Sequence, residues 1–433
     1  MRRIAALGGT GGTLDYVTAW FIKAGEYAKD TRIRIGFVAT NSITQGEQVA
    51  QLWPILFDRC GLEIAFAHRT FAWGSDARGK AHVHVVVLGL DGRDAVPGRK
   101  RLFSYPDING DPEETRHAVL SPYLFDAGGL ADPHLTVRKE SGPVNGLPRL
   151  IIGSKPIDGG HYIFGTEEKR MEFVAAEPAA EPYMRPYIGA REYLRGGDRW
   201  ILALHDALPN VLAGMPAVRD RIAAVRSYRE DSRSAPTRKL AETPTLYHVN
   251  VIPTAPFLVV PEVSSERREY VPIGWLEPPT IPSNLVRILE NATLTHFALL
   301  TSAMHMAWLR HIGGRLKSDH RYSIGLVYNT FPMPPGFGAS GGEHATKLEP
   351  LAQAVLDARA AFPDATLADL YDPDLMPPNL RRAHQAIDRA VDRLYRRGGF
   401  ETERERAEHL FMLYEKMRAP LGVGVRKLKR RRR

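Results

Sequence analysis

Phe37-Val-Ala-Thr-Asn-Ser-Ile-Thr-Gln-Gly-Glu-Gln-Val49 is the stretch on which the reading of the fold turns. It completes a short, nearly continuous apolar run over residues 33–39, of the kind carried by a strand covered on both faces. Thr40-Asn41-Ser42 follows as a cluster of capping residues, and Val49, Leu52, Trp53, Leu56 and Phe57 then recur at helical spacing. A strand that runs through polar residues into a helix puts Thr40 and Asn41 at the carboxyl end of a sheet, where open α/β sheets hold ligands.

Outward from that stretch, residues 14–27 form an amphipathic helix with Leu14, Val17, Phe21 and Ala24 on one stripe. Residues 62–67 and 83–88 read as two more strands, joined by a polar and aromatic connection carrying Phe71 and Trp73. Aromatics in that position either stack on an extruded nucleobase or cap the core. His82 and His84 alternate along the second of these strands with no third ligand nearby, so they read as structural. Gly8-Gly-Thr-Gly-Gly12 meets neither the dinucleotide fingerprint nor the lysine-bearing phosphate loop and reads as a flexible lead-in.

Between residues 122 and 335 prolines, short β-like runs and scattered arginines dominate. Asp158, Glu167 and Lys169 approach the carboxylate-lysine pattern of metal-dependent nucleases, although the intervening residues suit an ordinary turn. Residues 216–229 form a helix with Val218, Ile222 and Val225 buried and Arg219, Arg221, Arg226 and Arg229 outside. With Arg233, Arg238 and Lys239 these make either a phosphate-binding surface or an ordinary solvated face. The segment 284–312 reads as one core helix with His305 and His311 structural, and residues 324–328 as a strand. Between them, Arg315, Lys317 and Arg321 are placed to hold phosphates or reach base edges, unless Asp319 pairs with an arginine to brace the turn. Beyond a glycine-rich linker, two helical stripes and a Thr402–Glu405 capping box announce three helices.

The chain of 433 residues, 44% apolar, is long enough for two or three cores. A single cysteine, Cys60, excludes an internal disulfide framework and any multi-cysteine zinc site, and fits a reducing, cytoplasmic location. No signal peptide and no apolar run of spanning length occur, so no membrane association is expected. A formal charge of +9 points to a polyanion such as nucleic acid, although residues 426–433 form a basic tail that accounts for much of it.

Leu14-Asp-Tyr-Val-x-x-Trp20, the 37–49 stretch, and Phe66-Ala-His-Arg-Thr-Phe-x-Trp73 with Lys80-Ala-His-Val-His-Val-Val86 resemble the second half of an amino-methylating DNA methyltransferase of the MmeI-like, type IIG restriction-modification class. The resemblance continues through Ser154-Lys-Pro156, Gly314-Arg-Leu-Lys-x-Asp-x-Arg-Tyr-Ser323 and Val327-Tyr-Asn-x-Phe-Pro332 into the C-terminal helices. It implies an α/β fold: the C-terminal half of a Rossmann-like methyltransferase domain over 1–117, a mixed α+β target-recognition domain over 118–335, a linker over 336–346, a small all-α domain over 347–420 and a basic tail over 421–433.

The implied activity is S-adenosylmethionine-dependent methylation of adenine N6 in duplex DNA. Asp15, Tyr16, Thr40 and Asn41 would line the shared pocket, and Phe71 would stack on a flipped adenine. Arg219, Arg226, Arg229, Arg238, Lys239, Arg315, Lys317 and Arg321 would meet DNA. The Phe-x-Gly-x-Gly loop that holds the methyl donor in this class, and its Asn-Pro-Pro-aromatic motif, are absent from the 433 residues. The chain is therefore expected to be inactive alone, to leave the edge of the 33–39 strand unpaired, and to need a separately supplied N-terminal half. The alternative is a non-catalytic DNA-binding specificity subunit or a degenerate fragment.

Overall fold

The computed structural model describes residues 14–73, 83–95, 98–338 and 342–419. The 8–12 glycines, His82 and the basic tail lie outside the described residues.

Helix α1 (Tyr16–Ala28) packs on strand β1 (Ile35–Thr40) through Phe21 and Phe37, whose rings lie 4.5 Å apart. Two 3₁₀ turns, Asn41–Thr44 and Gly46–Gln48, lead into α2 (Val49–Pro54), which ends in a π turn over Ile55–Arg59. Strands β2 (Leu62–Trp73), β3 (Val83–Gly92), β4 (Lys100–Ser104) and β5 (Glu113–His117) complete a sheet of order β1-β3-β2-β4-β5. β3 runs antiparallel to both neighbours, from Ile35↔Leu90 to Thr40↔Val85 on one side and from Leu62↔Gly92 to Trp73↔Val83 on the other. The span from His68 to Trp73, expected as a connection, is thus strand. The ladder resumes past a register shift between His68 and Phe71, carried by residues of high strand propensity.

Helices α1 and α2 cover one face, where Phe21, Ile43, Leu52, Trp53 and Leu56 pack with Ala39, Ala67 and Leu88. The other face is partly covered, with Val85 buried and Phe66, His68 and Phe71 half-buried on it. Along β1, Ile35 and Ala39 are buried while Gly36, Val38 and Thr40 are exposed, so the expected double-sided burial is corrected to single-sided burial. Among the described residues β1 pairs only with β3, leaving its outer edge free as expected. Val38 of that strand is 51% exposed, and Tyr16 and Trp20 of α1 are 66% and 51% exposed.

The central region builds three small sheets. β6 (Ile151–Ile152), β10 (Phe257–Pro261), β12 (Gly274–Leu276) and β14 (Val286–Glu290) form one. β7 (Ile163–Phe164), β8 (Met184–Ile188), β9 (Trp200–Leu202) and β13 (Ile281–Pro282) form the second, on which helix α3 (Pro216–Glu230) packs through Val218 and Val225. β11 (Val263–Ser264) joins the hairpin of β15 (Gly314–Leu316) and β16 (Asp319–Arg321).

The segment 284–312 is not one helix. β14 ends at Asn291, whose φ of 55° breaks the chain, and Thr293 and Ser302 then cap α4 (Leu294–Leu300) and α5 (Ala303–Ile312) by accepting from the backbone N–H groups of His296 and His305. Residues Ile324–Tyr328 form a π turn opened by the Ser323 hydroxyl, not a strand. The three expected C-terminal helices are α6 (Ala345–Ala360), α7 (Pro378–Tyr395) and α8 (Glu403–Arg418). Phe411 of α8 packs against Phe125 and Trp308, at 4.6 and 5.1 Å, so these helices share a core with the rest.

Asp388 ties α7 to the central region by accepting from the Tyr270 hydroxyl and the Ala303 N–H, each at 2.6 Å. Burial, reinforced by Asp392, pushes this carboxyl up to about 6 against the opposing pull of those two donors and Arg406. Because the folded value lies above the unfolded one, the stabilisation is complete below the ordinary carboxylate range and is lost as pH rises through about 6. Thermal unfolding followed from pH 4.5 to 7.5 should show a loss on the order of 2 kcal/mol that Asp388→Asn largely removes. An identical pH profile in the variant would contradict this assignment.

Candidate functional site

A cleft of about 520 Å³ opens where the turn after β1 meets the β15–β16 hairpin, with Asp15, Ser42 and Gln45–Gln48 on one side and Arg315 and Arg321–Ser323 on the other. Two stretches singled out in the sequence thereby face each other. Gly46, at a φ of 73°, turns the chain toward Gly314, and a Cβ at Gly46 would lie 3.3 Å from the Gly314 Cα. Arg315 Nε donates to Gln45 Oε1 across the join at 3.4 Å.

On the first wall Asp15 is the hub. Its Oδ2 accepts from Gln48 Nε2 at 2.6 Å and from the Ser42 hydroxyl at 3.3 Å, and its backbone N–H donates to Gln48 Oε1 at 3.0 Å. Ser42 in turn shares a hydrogen bond of 2.9 Å with the Thr40 hydroxyl. Asp15 and Thr40 therefore belong to one polar cluster. Asn41 is buried beneath it, and its carbonyl accepts from the Thr44 hydroxyl. Tyr16 is exposed and is not among the residues that line the cleft.

Phe71 is not in the cleft either, but it lies in register with Thr40, since both pair with Val85 of β3. Two strand spacings separate them, about 10 Å across that face of the sheet. Phe71 stacks on Tyr105 at 4.8 Å, and His68 stacks on Phe103 at 4.2 Å while its Nδ1 bonds the Tyr105 hydroxyl at 2.8 Å. Burial and the nearby Arg101 hold the His68 imidazole below its usual pKa, which favours a neutral aromatic face.

On the second wall Arg315 donates to the Ser318 carbonyl at 2.9 Å and is largely buried, while Lys317 sits exposed at the hairpin tip with a φ of 57°. Arg321 and Arg287 both pair with Glu262, at 3.2 and 2.8 Å. Asp319 accepts from the Glu266 N–H at 3.4 Å, and among the described residues it forms no ion pair with an arginine. Gln48, Lys139, Glu262 and Arg287 are cleft residues that sequence reasoning missed. Gln48 sits inside the quoted stretch, whereas nothing local marks the other three.

The helix α3 divides its arginines. Arg219 and Arg226 are exposed along a shallow groove, and Arg238 and Lys239 are exposed nearby. Arg229 is fully buried, which corrects its assignment as an outward DNA ligand. Its guanidinium donates to the carbonyls of Pro156, Ile157, Leu240, Thr243 and Leu246. The spacing contained the reason: positions 218, 222, 225 and 229 fall on one helical stripe, so Arg229 points where Val218 and Val225 point. Arg221 is half-buried over the rings of Phe164 and Phe173, at 4.3 and 4.6 Å. The nuclease pattern dissolves as well, because Asp158 accepts from the Tyr162 N–H and Glu167 pairs with Arg170. Among the described residues no group of three metal-ligating side chains is assembled.

Replacing Arg229 with Met should cost roughly 3 kcal/mol or more, since five carbonyls lose their charged partner in the interior. Arg219→Gln with Arg226→Gln should leave the melting temperature unchanged. Differential scanning calorimetry of the two variants separates these roles, and equal melting temperatures would refute the distinction.

Comparison with known proteins finds three adjacent family profiles: the MmeI DNA-methyltransferase domain over residues 2–104, the MmeI target recognition domain over 131–335 and the MmeI C-terminal domain over 342–422. DNA methyltransferase A of Bacillus subtilis (strain 168) is 38% identical over 409 residues, covering 94% of this chain and 44% of that protein. The solved structure of the type IIL restriction-modification enzyme MmeI in complex with DNA is 40% identical, with a TM-score of 0.84 over 94% of this chain and 53% of its own. The chain thus spans about half the length of the relatives it matches.

Proposed function

Because this chain belongs to the MmeI-like family of restriction-modification methyltransferases, we propose that it forms the target-recognising part of an adenine-N6 DNA methyltransferase that becomes active when the methyl-donor half is joined to it. The observation that carries this reading is the cleft, in which the Asp15–Gln48 cluster and the basic hairpin face one another. Arg219, Arg226, Arg238, Lys239, Arg315, Lys317 and Arg321 are the side chains we assign to duplex DNA, with Lys317 the most accessible of the hairpin set. The cytoplasm is the compartment in which such an enzyme meets its substrate.

S-adenosylmethionine is the donor that the family implies, and the residues present do not make a complete seat for it. In an open α/β sheet the ligand crevice lies between two strand ends. Here β1 is the edge strand among the described residues, and the polar groups after it are largely engaged with one another. They provide one wall, so no transfer step is derived from them. We assign β1-β3-β2 to the second half of a Rossmann-like sheet. The free edge of β1, with the exposed Val38 on that strand, would receive the first half, whether that half is encoded upstream in the same chain or separately.

The test is transfer of labelled methyl from S-adenosylmethionine to duplex DNA. These 433 residues alone should transfer none, and adding a polypeptide that carries the Phe-x-Gly-x-Gly and Asn-Pro-Pro-aromatic motifs of a relative should restore N6-methyladenine formation. Val38→Glu should block that restoration without changing DNA affinity, by burying an unpaired charge at the joint. Methylation by this chain unaided would overturn the proposal.

A further inference from the structure

Helix α7 segregates its charges in a way that no other C-terminal helix does. Its two acids, Asp388 and Asp392, both point inward, the first to Tyr270 and the second to Arg406. Arg382, Arg389 and Arg393 all face solvent, and among the described residues they have no carboxylate partner. Arg381 and Arg396, on the flanks, are the ones consumed by ion pairs, with Glu269 and Glu405. By contrast α8 carries both signs on its surface, including an Arg404–Glu408 pair.

The three free arginines lie at i, i+7 and i+11, within a narrow stripe, and span about 16 Å along the axis. Such a row fits a line of anions and not a point charge. Guanidinium groups bind phosphate oxygens bidentately, and a duplex presents phosphates continuously along its flank. An anionic bilayer fits less well. The opposite face of α7, with Leu380, Ile387 and Val391, is buried in the core, so the helix has nothing apolar to insert.

The row is also mounted on the recognition region. Arg381 pairs with Glu269 and Asp388 with Tyr270, on the same loop whose Glu266 approaches Arg315 of the hairpin. We propose that Arg382, Arg389 and Arg393 grip the duplex backbone outside the bases being read, contributing affinity that is independent of sequence. This rests on the DNA-binding reading above.

The experiment measures binding of the full chain to a fluorescein-labelled duplex of arbitrary sequence, about 40 base pairs long, across a salt series. The triple variant Arg382→Gln/Arg389→Gln/Arg393→Gln should reduce the slope of log affinity against log salt by roughly 2.7, and Arg389→Gln alone by about 0.9. Both should keep the wild-type melting temperature. If the slope is unchanged in the folded variants while Arg219→Gln/Arg226→Gln lowers it, this inference fails and the recognition reading stands. If the wild-type chain does not bind duplex at all, both fail. If the triple variant loses binding only to phosphatidylserine vesicles, the row is a membrane contact and the inference is overturned.

Discussion

The close approach of Gly46 to Gly314 is the contact on which the cleft depends. Two chain segments remote in sequence meet there backbone to backbone, and a side chain at Gly46 would press on the partner's Cα at 3.3 Å while its φ of 73° strained any L-residue. Only with that spacing can Arg315 reach Gln45 and can Glu266 approach both Arg315 and His84 of β3. The recognition hairpin is therefore fixed against the sheet by sterics first and by polar contacts second. The Glu266 contacts to Arg315 and His84 are long, at 3.9 and 3.5 Å, whereas a backbone join sets geometry without needing them.

The basic character of the chain resolves into three populations of arginine with different physics. Arg229 is structural, its buried guanidinium spread over the carbonyls of five residues from two remote chain segments. Arg287, Arg310 and Arg406 are clamps, each held by a carboxylate between distant elements. Arg219, Arg226, Arg382, Arg389 and Arg393 are free to meet an external anion. Formal charge counts all of these alike, so +9 overstates what is available in some places and hides where it is concentrated.

This division also explains what the sequence could reveal. Period-two and period-3.6 patterns found the strands after Leu62 and Val83 and the three C-terminal helices, because burial there follows one stripe or one face. The same logic misread 284–312, where an unbroken apolar composition concealed a strand, a left-handed Asn291 and two caps. Thr40, Arg315 and Arg321 are legible as candidates because polar residues bound apolar elements there, whereas Asp15 is a candidate only through the family resemblance. That Asp15 would be tied to Gln48, or Arg321 to Glu262, is not legible, because those pairings are made by the fold across 33 and 59 residues. Arg229 is the opposite case: its charge suggests solvent, but its place on the stripe of Val218 and Val225 puts it in the interior.

The open edge of β1 poses a question of energy. Burying what is still exposed of Tyr16, Trp20 and Val38 would gain roughly half of the 1.5–3 kcal/mol that complete burial of a large side chain contributes, so about 3–5 kcal/mol before any backbone pairing. Bringing two separate polypeptides together costs about 4–15 kcal/mol in lost translational and rotational freedom. The exposed side chains alone therefore do not hold a free partner. A continuous β-ladder along the free edge of β1, or covalent linkage that replaces bimolecular encounter with a high effective concentration, tips the balance. The same surface is then a folding interface when the two halves are one chain, and a reversible, concentration-dependent one when they are not.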